Sequence, residues 1–180
     1  MKQDIRKLTA SQIRDWFVQH GESGFRAKQV HEWLWKKSAI SFEQMTNLSL
    51  PTRELLRTHF EIRPLTVDQQ QRSSDGTIKS SFRLFDGNLV EGVLIPALRR
   101  DAGSHNDRDA GPHGRMTACV SSQVGCSLTC KFCATGYMDR KRNLDAAEIY
   151  DQVVAIDRQA KENYDALLSN IVYMAWANRC

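Results

Sequence analysis

Three cysteines in the second half of the chain, Cys126, Cys130 and Cys133, are spaced closely enough to bind one metal centre. Their spacing is Cys-x3-Cys-x2-Cys, and no fourth cysteine follows at the spacing of a metal ligand. A structural zinc site normally has four protein ligands, and a cubane iron–sulfur cluster is usually held by four cysteines. Three thiolates leave one iron with an open coordination position, which indicates chemistry at the metal rather than a structural role.

A structural zinc site that recruits a histidine is the alternative for these cysteines. His105 and His113 lie in residues 97–115, a stretch rich in Gly, Asp and Arg with almost no apolar side chains. This composition predicts a flexible surface loop, and a mobile loop holds a metal ligand poorly. We therefore favour an iron–sulfur site over zinc.

The composition of the 180-residue chain allows one domain, or a small domain with part of another. Its 25 Lys and Arg against 21 Asp and Glu give a net charge of +4, which permits a polyanionic partner without requiring one. No stretch is apolar enough to span a membrane, and residues 1–7 lack a signal-peptide core. The clustered cysteines indicate a site rather than a disulfide framework, so we expect a reducing cytoplasm.

Residues 1–62 are predicted to form a small helical bundle. Thr9 and Gln12 have the spacing of a capping box that begins the first helix. A second helix is expected over residues 25–37, a third short one from Ser41, and a fourth from Pro51 in its first turn.

Basic side chains decorate this bundle. They are Arg14, Arg26, Lys28, Lys36, Lys37, Arg53 and Arg57. For any one of them a solvated surface position is the favoured interpretation. A face that contacts phosphates is the alternative, because Trp33 and Trp35 lie among the basic residues.

The apolar period changes to that of β-strands in residues 63–96. Apolar and polar residues alternate from Ile78 to Leu84, and the turn dipeptides Asp75-Gly76 and Asp86-Gly87 separate the segments. We predict a β-hairpin or three-stranded meander that ends at Pro96. Glu91 lies inside its last strand, where periodicity alone favours a solvated carboxylate.

A strand–helix–strand pattern occupies residues 116–180, so the fold class is α/β. A strand is predicted over 117–122, followed by the cysteines, a helix and an apolar strand over 170–174. Asp145 and Glu148 form the capping box of the helix, whose expected buried residues are Ile149, Val153, Val154 and Ile156. In a βαβ unit the ligand lies beyond the carboxyl end of the first strand, where the cysteines are.

The cysteine spacing, with the aromatic Phe132 before the last cysteine, resembles the signature of radical S-adenosylmethionine enzymes. The strings VEGVLIP (90–96), CVSSQVGCSLTCKFCATG (119–136) and RNL (142–144) resemble the RlmN family, and GFRAKQVHEWLW (24–35) resembles its N-terminal accessory domain. The related Cfr-type methyltransferases share CVSSQVGC, but the accessory domain favours RlmN. The resemblance implies an accessory domain over 1–62 and an incomplete radical SAM partial (β/α) barrel from residue 116.

The family methylates C2 of an adenine in 23S rRNA and in certain tRNAs. The resemblance implies that Cys126, Cys130 and Cys133 hold a [4Fe-4S] cluster whose open iron binds S-adenosyl-L-methionine. It also implies that Cys119 forms a transient disulfide and that Glu91 accepts the adenine C2 proton, against the solvated interpretation. The implied partners are 23S rRNA, tRNA and a flavodoxin-type electron donor, and we expect a monomer.

Two features depart from the family. The methyl-carrying cysteine near the family's C-terminus has no counterpart, because Cys180 lies too early. The family's GMGEPL motif, which grips the amino group of S-adenosylmethionine, is replaced by AWANRC at 175–180. We therefore expect no methylation by this chain alone, and keep a non-catalytic RNA-binding module and a small iron–sulfur protein as alternatives.

We hypothesise that a single lost base after the Met174 codon explains the unusual tail. One encoding of AWANRC is GCA-TGG-GCG-AAC-CGC-TGC, and one restored G changes it to GGC-ATG-GGC-GAA-CCG-CTG, which encodes GMGEPL. We predict that resequencing the locus finds the rest of the barrel in the shifted frame. Downstream DNA without such a frame would contradict the hypothesis and favour a naturally short protein.

Overall fold

The computed structural model describes residues 2–96, 114–126, 131 and 139–174. The chain divides into two compact units, Met1–Pro64 and Leu65–Cys180. The long predicted loop falls outside the described residues except for Gly114 and Arg115.

The first unit is helical, as predicted. Its helices are α1 (Ala10–Gln19), α2 (Phe25–Trp35) and α3 (Leu50–His59), with 3-10 turns at Ile5–Lys7 and Phe42–Gln44. Two short strands, β1 (Gln3–Asp4) and β2 (Phe60–Glu61), pair in parallel. The third predicted helix is therefore only a single 3-10 turn.

Side-chain caps determine where these helices begin. The Thr9 side chain accepts from the Gln12 amide, and the Gln12 side chain accepts from the Thr9 amide at 2.8 Å, which confirms the capping box. Helix α3 begins one residue before Pro51, because the Ser49 hydroxyl accepts from the Thr52 amide.

A buried ion pair ties the two ends of this unit together. The Asp4 carboxylate accepts from the backbone amide of Arg6 at 2.9 Å and from its guanidinium at 3.0 Å. The same carboxylate accepts from the Arg63 amide at 3.1 Å. The apolar core lies between the helices and is formed by Ile5, Ile13, Phe17, Val30, Leu34, Met45 and Leu56.

The second unit is built on a five-stranded sheet. Its strands are β3 (Thr66–Arg72), β4 (Ile78–Arg83), β5 (Leu89–Pro96), β6 (Met116–Ser121) and β9 (Asn170–Met174), in the order β3-β4-β5-β6-β9. The pairs from β3 to β6 are antiparallel, and β6–β9 is parallel. The predicted meander and βαβ unit are both confirmed. Two further strands, β7 (Gln123–Val124) and β8 (Arg142–Asn143), pair separately and antiparallel.

Helix α4 (Ala146–Tyr164) packs on one face of this sheet. Gly92 makes the close approach possible: a Cβ atom there would lie 2.8 Å from Phe82 Cε2 and 2.9 Å from Ile156 Cδ1. Ile78, Phe82, Val90, Leu94, Met116, Ala118, Val120 and Ile156 belong to the core on this side.

The buried face of α4 is more polar than predicted. Ile156 is buried as expected, but Ile149, Val153 and Val154 are only half-buried. Gln152 and Gln159 are buried instead, because each finds hydrogen bonds on the sheet. Gln152 accepts from the Ser121 amide at 2.9 Å, and Gln159 donates to the Ser80 hydroxyl at 2.9 Å.

None of the helices in the described part of the chain has the length and apolar character to cross a membrane.

Candidate functional site

The cysteine segment begins at the carboxyl end of β6 and is closed by the β7–β8 pair. Gln123 pairs with Asn143 and Val124 with Arg142. The Lys141 amide donates to the Val124 carbonyl at 2.8 Å and extends this closure by one residue. The β7–β8 pair therefore holds together the residues on either side of the three candidate ligands, and we refer to residues 126–138, by sequence position, as the cysteine loop.

Gly125 lets the two ends of this cysteine loop touch. Its φ is +74°, and a Cβ atom there would lie 2.0 Å from the Asp139 carbonyl oxygen and 2.9 Å from Arg140 Cα. Both the backbone conformation and the contact require glycine. Cys126 follows directly, while Cys130 and Cys133 lie outside the described residues.

Arg142 fixes the far end of the loop. Its two Nη atoms each donate to a Glu148 carboxylate oxygen at 2.7 Å, and its Nε donates to Asp86 at 2.8 Å. Glu148 also accepts from the Asp145 amide at 3.0 Å, completing the predicted capping box of α4. Arg142 thus connects the cysteine loop to α4 and to the β4–β5 turn.

The charges in this network stabilise one another. The hydrogen bonds that Arg142 donates to Glu148 raise the pKa of its guanidinium; burial opposes this rise, and a hydrogen bond to Asp86 adds to it. Burial opposes ionisation of Asp86, but hydrogen bonds from Arg142 and Asn88 outweigh it and lower the pKa of that carboxyl. Arg142 and Asp86 are therefore both charged at neutral pH.

The sheet face opposite α4 carries Glu91 and Cys119. Cys119 pairs with Val93 across β5–β6, and residues paired in this way project from the same face. Glu91 lies two residues before Val93, so it shares that face. Glu91 and Cys119 are consequently diagonal neighbours, a relation that places Cβ atoms about 7–8 Å apart or somewhat less.

Glu91 is buried, with 5% of its surface exposed, so the solvated interpretation from periodicity was wrong. Its strand, β5, lies inside the sheet between β4 and β6, and the Lys79 side chain of β4 packs against the carboxylate. Lys79 Nζ lies 2.6 Å from Glu91 Oε1. Oε1 accepts no hydrogen bond from the described residues, so this contact is an ion pair without hydrogen-bond geometry.

Cys119 is half-exposed and forms no disulfide within the described part of the chain. Burial raises the pKa of its thiol. The thiol form therefore dominates at neutral pH, and this cysteine is less nucleophilic than a fully exposed one.

Known proteins that are similar along nearly the whole chain agree with the family resemblance seen in the sequence motifs. Residues 3–62 match the family described as Ribosomal RNA large subunit methyltransferase N-terminal domain. The chain is 60% identical over 173 residues to a Cytophaga hutchinsonii protein named "Probable dual-specificity RNA methyltransferase RlmN", covering 96% of this chain and 43% of that protein. A Campylobacter fetus protein named "Dual-specificity RNA methyltransferase RlmN" is 45% identical over 150 residues, covering 83% of this chain and 42% of the relative.

This chain is similar to the RlmN family over 96% of its length. A solved structure supports the fold: a radical SAM methyltransferase from Sphaerobacter thermophilus matches with a TM-score of 0.71 at 35% identity, over 95% of this chain and 47% of that one. The chain thus spans less than half the length of each of these RlmN and radical SAM relatives.

The donor set fits the cluster that similarity to radical SAM enzymes implies. Thiolates are the ligands of iron–sulfur clusters, and the sequence from Cys126 to Cys133 contains three cysteines and no histidine or carboxylate. The described residues alone contain no group of three metal-ligating side chains, since only Cys126 of the three is among them. His105 and His113 also lie outside the described residues.

Sequence reasoning missed Lys79 and Gln152. Lys79 is adjacent to Glu91 only through the β4–β5 register, in which Ser81 faces Glu91 and Lys79 faces Val93. Gln152 holds the last residue of β6 by donating to the Ser121 carbonyl at 3.1 Å. Alternation along the hairpin could have placed Lys79 on the Glu91 face, but no local signal marks Gln152.

We predict that alkylation of Cys119 in the metal-free chain requires higher pH than alkylation of free cysteine. Its raised pKa leaves less thiolate at a given pH, and only the thiolate reacts. The rate against pH, followed by mass spectrometry of the Cys119 peptide with iodoacetamide, should inflect at a higher pH than that of free cysteine. Free cysteine in the same buffer is the control, and an inflection at or below its value would contradict the prediction.

Proposed function

We propose that this chain provides the cluster-binding loop and the proton-accepting residue of a radical SAM methyltransferase that methylates C2 of an adenine in 23S rRNA and tRNA. The observation that carries the proposal is the β7–β8 pair, which holds together the residues on either side of the three cysteines just beyond β6, the strand that carries Cys119. Similarity to the family and the names of the relatives support the reaction class and an RNA substrate.

Cys126, Cys130 and Cys133 would hold a [4Fe-4S] cluster that, with S-adenosyl-L-methionine, supplies the radical chemistry needed at an unreactive C–H bond. The residues around the cysteines contribute by holding the two ends of this segment close together. Gly125, the β7–β8 pair and Arg142 hold together the residues that flank the three ligands.

Glu91 would accept the proton from adenine C2. A general base must be a carboxylate when the proton leaves and must stay within reach of it. The Lys79 ammonium lies against this buried carboxyl, whose Oε1 accepts no hydrogen bond from described residues that would compete with substrate.

Cys119 would form the transient disulfide with the family's methyl-carrying cysteine, which lies in the part of the relatives that this chain does not match. A raised pKa keeps its thiol protonated until that partner approaches, which limits unwanted alkylation or oxidation.

We further propose a flavodoxin-type electron donor and a cytoplasmic location, where thiols stay reduced.

The first test is anaerobic reconstitution with iron and sulfide. We expect close to four irons per chain and broad visible absorbance, the content of a [4Fe-4S] cluster. Cys126→Ser, Cys130→Ser and Cys133→Ser should each lower the iron content sharply, and Cys119→Ser, the matched control, should retain it. Zinc in place of iron, or equal iron in all four variants, would contradict the proposal.

The second test measures methylation by a chimera of residues 1–174 and the remaining C-terminal part of the Cytophaga hutchinsonii relative. We expect it to methylate adenine C2 in a 23S rRNA fragment. Glu91→Gln should lower the rate by about 10²–10⁴-fold, the usual contribution of a general base. Glu162→Gln, an exposed change of the same type, should not. A Glu91→Gln chimera with full activity would exclude this residue as the base.

A further inference from the structure

A cavity of about 390 Å³ lies between α1 and α2 of the first unit. Three small residues, Ala10, Gly24 and Ala27, form part of its lining. The other lining residues are polar or basic: Ser11, Arg14, Lys28 and His31. We call this cavity the basic cleft. No acidic residue lines it, so its chemistry favours an anionic ligand.

The structure separates Arg14 and Lys28 from the other basic residues of the bundle. Arg57 is bound to Glu54, Arg26 lies near Glu22, Lys37 lies over the Trp33 ring, and Arg53 donates to the Glu43 carbonyl. Of the seven basic residues singled out from the sequence, only Arg14 and Lys28 line the cleft.

Neither cation of the cleft is neutralised. Arg14 Nε lies 3.6 Å from an Asp15 carboxylate oxygen, but both side chains are about two-thirds exposed, and such pairs contribute little. Lys28 has no ion pair or hydrogen bond among the residues that the structure describes. Both charges therefore remain available for a ligand.

Gly24 brings Arg14 to the start of α2. A Cβ atom at Gly24 would lie 2.9 Å from Arg14 Cγ, so a larger residue would push the arginine stem away. The first turns of both helices also lie at the cleft, and their dipoles add positive potential to that of the side chains.

We propose that the basic cleft binds one nucleotide of single-stranded RNA, with its phosphate between Arg14 and Lys28. Arginine can bind a phosphate through two donors and lysine adds a point charge. The small residues leave room for the ribose or base, and the volume lies within the range of small-molecule sites, about 300–1,000 Å³. The choice of RNA over a free nucleotide rests on the proposed function.

The test is fluorescence anisotropy of the 180-residue chain with a labelled single-stranded RNA oligonucleotide at low salt. Arg14→Gln combined with Lys28→Gln should weaken binding at least fivefold. Lys36→Gln combined with Arg57→Gln removes the same charge outside the cleft and should weaken it less than twofold. The slope of log affinity against log salt should fall by about 0.7 in the cleft variant alone, because the cleft contacts one phosphate and each phosphate contact contributes about 0.7 on single strands.

Two further measurements, a charge-conserving double variant and a competition experiment, identify the ligand. Arg14→Lys combined with Lys28→Arg should retain affinity, since both charges remain. Inorganic phosphate and adenosine monophosphate should displace the RNA only weakly. Equal weakening by the cleft and control variants would overturn the proposal, and displacement by inorganic phosphate at concentrations similar to those of the RNA would assign the cleft to a free anion.

This binding measurement needs neither iron nor catalysis. A chain that loads no cluster but shows the expected affinity pattern would overturn the catalytic proposal and support the RNA cleft. A chimera that methylates RNA while cleft and control variants bind equally would support the catalytic proposal and overturn the cleft.

Discussion

The hydrogen bonds of Arg142 are the contacts on which the candidate site most depends. One guanidinium satisfies the buried Glu148 carboxylate through two bonds and reaches Asp86 as well. Glu148 is at the same time the capping residue of α4, so the helix start and the end of the cysteine loop share one charge pair. Without the arginine, Glu148 would remain as a buried uncompensated charge, which is strongly destabilising.

One face of the central sheet packs against α4, and the opposite face carries the candidate catalytic residues. Val90, Gly92 and Leu94 face α4, and Gly92 provides the space for Ile156. Glu91 and Val93 face the other way, toward the side that carries Cys119. Because successive residues of a strand project from opposite faces, one short segment both anchors the helix and presents a carboxylate.

Local signals predicted much of this architecture. Both capping boxes, the meander and the parallel βαβ unit follow from spacing over a few residues, and all are present. The buried side of α4 was predicted less well, because apolar periodicity cannot identify a glutamine that is buried for its hydrogen bonds. Gln152 bonds to Ser121, 31 residues away in sequence, and no window on the helix contains that partner.

The sequence by itself determined the ligand types, their spacing and the strand after which they come, because these depend on neighbours along the chain. Only the tertiary structure decided that Glu91 is buried beside Lys79, and that Arg14 and Lys28 line one cleft while other basic residues are paired. Burial and charge pairing arise from contacts between segments distant in sequence, and these contacts exist only once the chain has folded.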